Sequence, residues 1–396
     1  IFGITTNELE KLKGTALYDR IKPFVIKVDR YDDATKAAIA KIKLNNAIRE
    51  NKMSNRVKIG ILGAGTWGIA LARMLSNSGN DVSVWSALER EIDLLSSSRK
   101  HPNLPGVELP DQIAYTKDIS SICTDKDILV FAVPSMFVRS TAQKVAPYLA
   151  SGQIIVDVAK GIEERTLYTM TEVIADEISD PTIKLVALSG PTHAEEVVQD
   201  LPSAIISASS DISAAETVQK IFNTDRMRVY TNDDIRGVEL CGALKNVIAL
   251  AAGIATGLGC GDNAKAALIT RGIAEISRLG MAMGCKEYTF GGLAGIGDLI
   301  VTATSVHSRN NHCGILIGQG VSVKDAIEQV GMVVEGINAL PAAVSLAKKY
   351  GIEMPIVATV DAIVSGGVDV SMAIDRLMRR ELKSEISSEA FAGLYD

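Results

Sequence analysis

A glycine-rich loop between two strand-like runs constrains the fold of this chain more than any other feature of its sequence. The apolar run Val57–Leu62 is followed by the loop Gly63–Gly68, a helical stretch from Ile69 to Ser78, and a second apolar run at Val82–Trp85. A strand, a tight loop, a helix and a second strand in this order predict a βαβ unit with two parallel strands.

The loop reads Gly-Ala-Gly-Thr-Trp-Gly and matches the pattern G-x-G-x-x-G. Gly63 permits the tight turn, Gly65 lets a pyrophosphate approach the backbone, and Gly68 allows the helix to pack closely on the strand. The helix N-terminus adds free N–H donors and the positive end of a dipole. The loop therefore predicts a dinucleotide site, and the alternative is a glycine-rich turn that binds nothing.

Further short apolar runs alternate with helical stretches up to about residue 236, namely Ile128–Val133, Ile154–Val158 and Leu185–Leu188. Continuous apolar runs are typical of parallel strands that helices cover on both faces. Beyond Arg236 the apolar spacing becomes helical, in Gly237–Ala255, Asn263–Met283, Val323–Gln329 and Gly336–Tyr350. The sequence thus predicts an α/β fold, with an N-terminal Rossmann-like, doubly wound parallel sheet followed by a mainly α-helical C-terminal domain.

These patterns divide the 396 residues into four parts. We expect an N-terminal extension of unknown role at 1–52, a dinucleotide-binding domain at 53–236, an α-helical substrate domain at 237–385 and a C-terminal tail at 386–396. The first boundary rests on Met53, which resembles a natural start just before the first strand, whereas the chain begins with Ile1.

Composition narrows the class of partner. Lys and Arg number 41 against 47 Asp and Glu, so the net charge is −6 and no overall basic field exists to attract nucleic acid. The most apolar stretch, Val247–Ala255, is far shorter than the ~20 residues of a spanning helix, so we expect no integral membrane segment. Five cysteines without a C-x-x-C pair favour a reducing cytoplasm, and no histidine has a partner at metal-ligand spacing, so no metal site is predicted.

The residues after the second strand bear on cofactor choice. An acid about 20 residues beyond the glycines usually holds the ribose 2′-hydroxyl of NAD, whereas an Arg suits the 2′-phosphate of NADP. The segment Trp85–Arg90 has no acid at the strand end, and Arg90 is close enough in sequence to approach a phosphate. The choice between NAD and NADP therefore leans only slightly toward NADP, and Arg90 is equally well explained as a solvated helix residue.

Polar side chains follow three of the predicted strands, in the segments Ala132–Ser135, Ala159–Glu163 and Ser189–Ala194. The carboxyl ends of parallel strands form the crevice in which ligands bind, so these residues are candidates by position. Ordinary turn chemistry of Gly and Pro is the competing explanation.

Lys245 lies inside an apolar stretch from Glu239 to Leu250. Poor solvation lowers the pKa of a lysine, and a lysine that titrates near neutral pH can exchange the proton of an alcohol that is being oxidised to a carbonyl. A lysine that snorkels at a helix edge is the alternative. Asp298 opens a later helix and shares a face with Thr302, so it can either orient Lys245 or simply cap that helix.

The segment Ser308-Arg309-Asn310 is a candidate for binding a phosphate group. The guanidinium of Arg309 can fork onto phosphate oxygens, and Asn310 can add a donor. A polar surface loop without a ligand is the other interpretation.

The chain resembles the bacterial type of NAD(P)-dependent glycerol-3-phosphate dehydrogenase through a series of motifs in one order: GAGTWG, VPS, KGIE, SGPTHAEE, LKNVIALAAGI, GDNAKAALITRG, GLAGIGDLIVT, SRN and VVEG. The resemblance runs from about Met53 to Glu381. It implies an oxidoreductase that reversibly converts sn-glycerol 3-phosphate and NAD(P)+ to dihydroxyacetone phosphate and NAD(P)H, and that supplies glycerol 3-phosphate for phospholipid synthesis. The substrate would be a small phosphorylated molecule, and a homodimer is a possible assembly.

The resemblance also implies roles for the residues that match these motifs. The catalytic group would comprise Lys245, Lys160 and Asp298, with Lys245 as the proton acceptor in oxidation. The cofactor site would comprise Gly63, Gly65, Thr66, Trp67, Gly68, Lys160, Ala194, Arg309, Val333 and Glu335. The substrate site would comprise Lys160, Gly190, Thr192, Lys245, Asp298, Ser308, Arg309 and Asn310.

Two features depart from the family pattern. Ala87 stands where the family often carries His or Arg, which leaves Arg90 as a possible contact for an adenosine 2′-phosphate, and residues 1–52 have no counterpart.

Two alternative functions stay open. The first is a related reductase, similar to 6-phosphogluconate dehydrogenase, with another hydroxy acid or hydroxy phosphate as substrate; Arg309-Asn310 and the KGIE and LKN segments disfavour it. The second is a redox sensor that binds a dinucleotide without catalysis, in which Lys160, Lys245 and Asp298 would be surplus.

Overall fold

An eight-stranded sheet organises the first half of the described chain. The structure, a computed structural model, describes residues 56–382, 384 and 385, so the predicted extension at 1–52 and the tail at 386–396 lie outside the described residues. The strands are β1 (Lys58–Leu62), β2 (Asp81–Trp85), β3 (Ala114–Thr116), β4 (Ile128–Phe131), β5 (Ile154–Asp157), β6 (Lys184–Ser189), β7 (Ser203–Ala208) and β8 (Met227–Asn232).

Sixteen α-helices accompany the strands within the described residues. Those of the first half are α1 (Thr66–Asn77), α2 (Glu89–Ser98), α3 (Ile119–Cys123), α4 (Val138–Val145), α5 (Met170–Glu177), α6 (Ala194–Val197) and α7 (Ile212–Phe222). Those of the second half are α8 (Ile235–Gly257), α9 (Asp262–Ala282), α10 (Glu287–Phe290), α11 (Asp298–Thr304), α12 (Arg309–Gly318), α13 (Val323–Val330), α14 (Glu335–Tyr350), α15 (Pro355–Val364) and α16 (Val370–Met378).

The strand order is β3-β2-β1-β4-β5-β6-β7-β8. The six strands from β3 to β6 in this order are parallel, and β7 runs antiparallel to β6 while β8 is parallel to β7. The strands β1, β4, β5 and β6 are neighbours, so their carboxyl ends meet along one edge of the sheet. The α/β fold with a Rossmann-like sheet and a helical second half is confirmed.

The predicted strands did not include β3, β7 and β8, so the antiparallel pair β6–β7 was not predicted. The physical reason is that these three strands lack the continuous Val/Ile-rich run. Strand β3 has three residues, β7 is built largely of Ser and Ala, and β8 alternates buried Met227 and Val229 with exposed Arg228 and Tyr230 at the sheet edge.

Helices cover both faces of the sheet, which explains the continuous apolar runs. Ile59 and Ile61 of β1 pack with Ile69 of α1 on one face, whereas Leu62 and Phe131 belong to the cluster on the other face. Strands β1 and β4 are therefore buried on both sides, as parallel strands in doubly wound folds are.

Helix α8 forms the core of the helical half. Its 23 residues make it longer than the apolar run Val247–Ala255 suggested, and 19 of them are buried. By length and composition α8 could cross a membrane, as could the bent pair 287–304 and 309–318 taken as one span. The most apolar window of α8, with a mean hydropathy of 1.6, is wholly buried inside the protein. A helix that is apolar on all sides and enclosed by other helices is a core element.

Four glycines let the backbones of α8 and α12 touch. A Cβ atom on Gly253 would lie 2.1 Å from the carbonyl oxygen of Asn311, and one on Gly257 would lie 2.2 Å from that of Ile315. On the facing helix, Cβ atoms on Gly314 and Gly318 would each lie 2.2 Å from a carbonyl oxygen of α8. Each helix thus presents two glycines one turn apart, and this close approach sets the position of the α12 N-terminus relative to Lys245.

The substitution Gly253→Ala tests this contact. The added methyl group meets backbone that cannot move aside cheaply, so we expect the free energy of unfolding to fall by about 1–3 kcal/mol in urea denaturation. Gly261→Ala is the control, because a Cβ atom at Gly261 meets nothing within 4 Å. Equal stability of the two variants would contradict the close packing of α8 and α12.

Candidate active site

The glycine loop is shaped as an open cradle at the end of β1. Gly63 has a φ of +122°, a region that favours glycine, and its N–H donates to the carbonyl of Trp85 at 2.8 Å. A Cβ atom on Gly68 would lie 2.2 Å from the Gly63 oxygen, whereas one on Gly65 would meet nothing within 4 Å. The loop is therefore tightly packed beneath Gly68 and open above Gly65.

The N-terminus of α1 leaves donors without protein partners. Gly65 is the N-cap residue and no side chain caps the helix, so the first N–H groups, at Thr66 and Trp67, are available to a ligand. The buried hydroxyl of Thr66 also has no hydrogen-bond partner. An open cradle, free N–H groups and an unpartnered hydroxyl fit the pyrophosphate of a dinucleotide.

A carboxylate shared by two lysines lies where the sheet meets the helical half. The Nζ of Lys245, on α8, donates to Oδ1 of Asp298 at 2.5 Å, and the Nζ of Lys160, just after β5, donates to Oδ2 at 2.6 Å. The side chains of Lys245 and Asp298 are only 6% and 2% exposed. Lys245 therefore does not snorkel to the surface.

Burial sets the protonation of this cluster. It lowers the pKa of Lys245 to about 7, and the carboxylate of Asp298 only partly opposes this effect. Burial works to raise the pKa of Asp298, but the positive charges of Lys160 and Lys245 more than offset it, so that pKa is lowered. The cluster thus holds an ionised carboxylate beside an amine that can gain or lose a proton near neutral pH.

Asp298 orients lysines and does not cap its helix. It is the first residue of α11, Gly297 is the N-cap, and no side chain caps this helix. Thr302, one turn later, accepts a hydrogen bond from the Lys245 amine and donates its own to the carbonyl of Asp298 at 2.7 Å. The predicted common face of Asp298 and Thr302 therefore points at Lys245.

The loop after β6 contacts the same cluster. The Nζ of Lys160 donates to the carbonyl of Gly190 at 3.2 Å, and the hydroxyl of Thr192 donates to the same oxygen at 3.2 Å. Burial, and then the positive charge of Lys245, lower the pKa of His193. Sequence reasoning included His193 in the candidate segment Ser189–Ala194 but gave it no role of its own, because its neighbours in the fold were not known.

The segment that opens α12 combines a free cation with a buried amide. Arg309 is exposed and has no ion pair among residues 56–382, and Ser308 caps the helix by accepting from the Asn311 N–H at 3.2 Å. Asn310 is buried, its Nδ2 donates to Oδ1 of Asn246 at 3.0 Å, and its Oδ1 accepts from the Gly336 N–H at 2.8 Å. Asn310 therefore connects Asn246, which is next to Lys245 in α8, to the start of α14.

Glu335 joins the start of α14 to the sheet. Its carboxylate accepts hydrogen bonds from the hydroxyl of Ser135 at 2.8 Å and from the Ser135 N–H at 3.3 Å. Ser135 follows β4, so the loops after β1, β4, β5 and β6 all carry candidate residues. Ala194 is buried at the start of α6, and Val333 is partly buried two residues before Glu335.

The structure thus gathers Lys160, Gly190, Thr192, Lys245 and Asp298 around one point. Glu335 is hydrogen-bonded to Ser135 and Asn310 to Asn246, whereas Arg309 makes no hydrogen bond or ion pair with this cluster among the described residues. Within residues 56–382, no group of three His, Cys, Asp or Glu side chains is placed to hold a metal ion.

Comparisons with known proteins place this chain in a family. Family models described as the NAD-dependent glycerol-3-phosphate dehydrogenase N-terminus and C-terminus match residues 58–215 and 234–375. The chain belongs to the NAD-dependent glycerol-3-phosphate dehydrogenase family.

Curated relatives and a solved structure agree with this assignment. "Glycerol-3-phosphate dehydrogenase [NAD(P)+] 2" of Lactobacillus delbrueckii subsp. bulgaricus is 62% identical over 334 residues, which cover 83% of this chain and 99% of the relative. An Agathobacter rectalis member of the family is 52% identical over 332 residues, with 84% and 98% covered. The crystal structure of glycerol-3-phosphate dehydrogenase from Coxiella burnetii superposes with a TM-score of 0.79 at 35% identity, with 82% and 99% of the chains covered.

The open side of the glycine loop leads to a test of dinucleotide binding. In Gly65→Ala, the methyl group would occupy the space that a pyrophosphate needs, so we expect NADH to bind roughly 10-fold more weakly in a fluorescence titration. The melting temperature should stay the same, because no protein atom lies within 4 Å of that methyl position. Unchanged affinity would place the dinucleotide away from this loop.

Proposed function

We propose that the chain interconverts sn-glycerol 3-phosphate and dihydroxyacetone phosphate with NAD or NADP as the redox partner. The shared carboxylate between Lys160 and Lys245 is the observation that carries this proposal. It sits beside the carboxyl edge of the parallel strands, where open sheets of this kind bind their ligands. Membership of the glycerol-3-phosphate dehydrogenase family supports the choice of substrate.

The residues of the first half fit a dinucleotide. Gly63, Gly65 and Gly68 would give the pyrophosphate access to the α1 N-terminus, where Thr66 and Trp67 provide free N–H groups. Lys160, Ala194, Arg309, Val333 and Glu335 are the further residues proposed to line this site. When bound, the nicotinamide ring supplies the acceptor or donor of the hydride.

Lys245 moves the proton that accompanies the hydride. In oxidation, the neutral amine of Lys245 takes the proton of the C2 hydroxyl while the C2 hydride leaves, so the C2–O bond becomes a carbonyl. In reduction, the ammonium form returns that proton to the C2 oxygen. A pKa near 7 suits both directions, because neither protonation state is rare at neutral pH.

The other polar groups hold the substrate in place. Lys160 is partly exposed and directs its amine toward Asp298 and Gly190, so it can reach an oxygen of the triose without losing its position. Asp298 fixes both amines, and Gly190 and Thr192 border the site. We propose that Arg309, with Ser308 and Asn310, binds the phosphate, because an exposed and unpaired guanidinium is free to fork onto its oxygens.

We further propose that the enzyme works in the cytoplasm, where it supplies glycerol 3-phosphate for phospholipid synthesis. All five cysteines are free, and four of them are buried, which suits a reducing compartment. A homodimer is the proposed assembly.

The pair of lysines on one carboxylate argues against a sensor that only binds dinucleotide, because binding alone needs no proton-transfer group.

The direct test is reduction of dihydroxyacetone phosphate by the purified chain, followed through NADH absorbance. We expect turnover in the unmodified protein and at least a ~100-fold loss in Lys245→Met, since one acid–base group contributes about that much. NADH affinity should be nearly unchanged in this variant. A folded protein that binds NADH without turnover would favour the sensor, and near-normal turnover of Lys245→Met would remove Lys245 from its role.

The protonation of Lys245 predicts opposite pH profiles for the two directions. Oxidation needs the neutral amine, so its rate should rise as pH increases through about 7, whereas reduction needs the ammonium form and should fall over the same range. Asp298 raises the pKa of Lys245. Asp298→Asn should therefore move both limbs to lower pH.

Rates measured from pH 5 to 10 with the unmodified protein and with Asp298→Asn check this prediction. The ionisation of the substrate phosphate is the same for both proteins, so it serves as an internal reference. If the pH–rate profile of Asp298→Asn were not shifted from that of the unmodified protein, a group other than Lys245 would control the proton transfer.

A further inference from the structure

The end of β2 carries an anchored carboxylate that the spacing of the sequence did not reveal. Ser86 follows β2 directly and is only 6% exposed, and its hydroxyl donates to Oε2 of Glu91 at 2.6 Å. The same hydroxyl accepts from the Leu88 N–H at 3.1 Å. This small turn brings Glu91, from the first turn of α2, back to the strand end.

The anchored carboxylate lies next to the glycine loop. Trp85, the residue before Ser86, accepts the Gly63 N–H, so the end of β2 and the loop are hydrogen-bonded neighbours. His101 lies against the carbonyl of Ala64 in the loop and close enough to Glu91 for their charges to interact, although burial keeps its pKa lowered. Glu91 and a mainly neutral imidazole thus border the loop on the β2 side.

Cations near this position are few and mostly engaged elsewhere. Arg99 donates to the carbonyl of Ile113 at 2.8 Å and stacks over Tyr115, and Lys117 pairs with Glu89 and Asp93. The turn between β2 and α2 consists of Ser86, Ala87 and Leu88, so it supplies no positive charge. Arg90, in the first turn of α2, is the next cation along the chain, and it is exposed without an ion pair among the described residues.

We propose that the chain selects NADH over NADPH and that Glu91, held by Ser86, is the residue that determines this choice. The inference deepens the proposed function and rests on dinucleotide binding at the glycine loop. At the end of the second strand, a fixed carboxylate can accept the ribose 2′-hydroxyl of NADH. The same carboxylate repels a 2′-phosphate, because two anions in contact are costly without a cation between them.

Fluorescence titration of NADH and NADPH, without substrate, tests the proposal independently of turnover. We expect the unmodified protein to bind NADH at least ~10-fold more tightly than NADPH. Glu91→Gln keeps the size of the side chain and removes its charge, so the preference should shrink by about 10-fold, chiefly through tighter NADPH binding. Ser86→Ala removes the hydroxyl that holds this carboxylate, so it should also reduce the preference for NADH over NADPH.

Glu89→Gln is the matched control. Glu89 lies in the same turn of α2, but its side chain is 75% exposed and its carboxylate faces Lys117 at 3.3 Å, so the NADH to NADPH ratio should stay the same. Arg90→Ala should also leave the ratio unchanged, and a selective loss of NADPH binding in that variant would overturn the proposal.

The selectivity would also be overturned if the unmodified protein bound NADPH as tightly as NADH or more tightly. An unchanged ratio of NADH to NADPH affinity in Glu91→Gln would overturn it as well. Failure to bind either dinucleotide would instead contradict the proposed function itself, so the two failures are distinguishable.

Discussion

Two amines held on one buried carboxylate are the interaction on which the site depends. Lys160 follows a strand of the sheet, Lys245 belongs to the core helix α8, and Asp298 opens α11, so one carboxylate joins three separate parts of the fold. Removing one member of a buried, hydrogen-bonded charge pair typically costs about 3–5 kcal/mol. The carboxylate is therefore both a structural link between sheet and helices and the group that fixes the positions of the two amines.

Helix α8 makes this arrangement possible because it brings its polar residues into a dry environment. Lys245 and Asn246 are both buried in it, and each finds a polar partner on a neighbouring helix: Asp298 on α11 and Asn310 on α12. The paired glycines of α8 and α12 bring the second of these helices into contact. A larger residue at those glycines would move the Ser308–Asn310 segment away from Lys245, so backbone packing and the geometry of the proposed substrate site are coupled.

Local patterns predicted much of the fold and part of the site. The glycine loop, the buried strands and the placement of Lys245 in an apolar helix could be predicted from neighbouring residues, because turn geometry and burial depend on short stretches of chain. The three strands that were missed lack the continuous Val/Ile-rich run by which the other strands were predicted. The antiparallel β7 follows from its pairing with β6, and pairing between distant segments leaves little trace in a strand built of Ser and Ala.

The sequence by itself determined the class of fold, the glycine loop after the first strand and the chemical types available to the candidate site, since these depend on residue identity and spacing. Only the tertiary structure decided which side chains meet. The contact of Glu335 with Ser135 joins residues 200 positions apart, and the contact of Lys160 with Asp298 joins residues 138 apart. Even Ser86 and Glu91, five residues apart, become partners only because the turn after β2 folds back. The physical reason is that hydrogen bonds and charge pairs form over a few ångströms, and chain packing alone brings such groups within that distance.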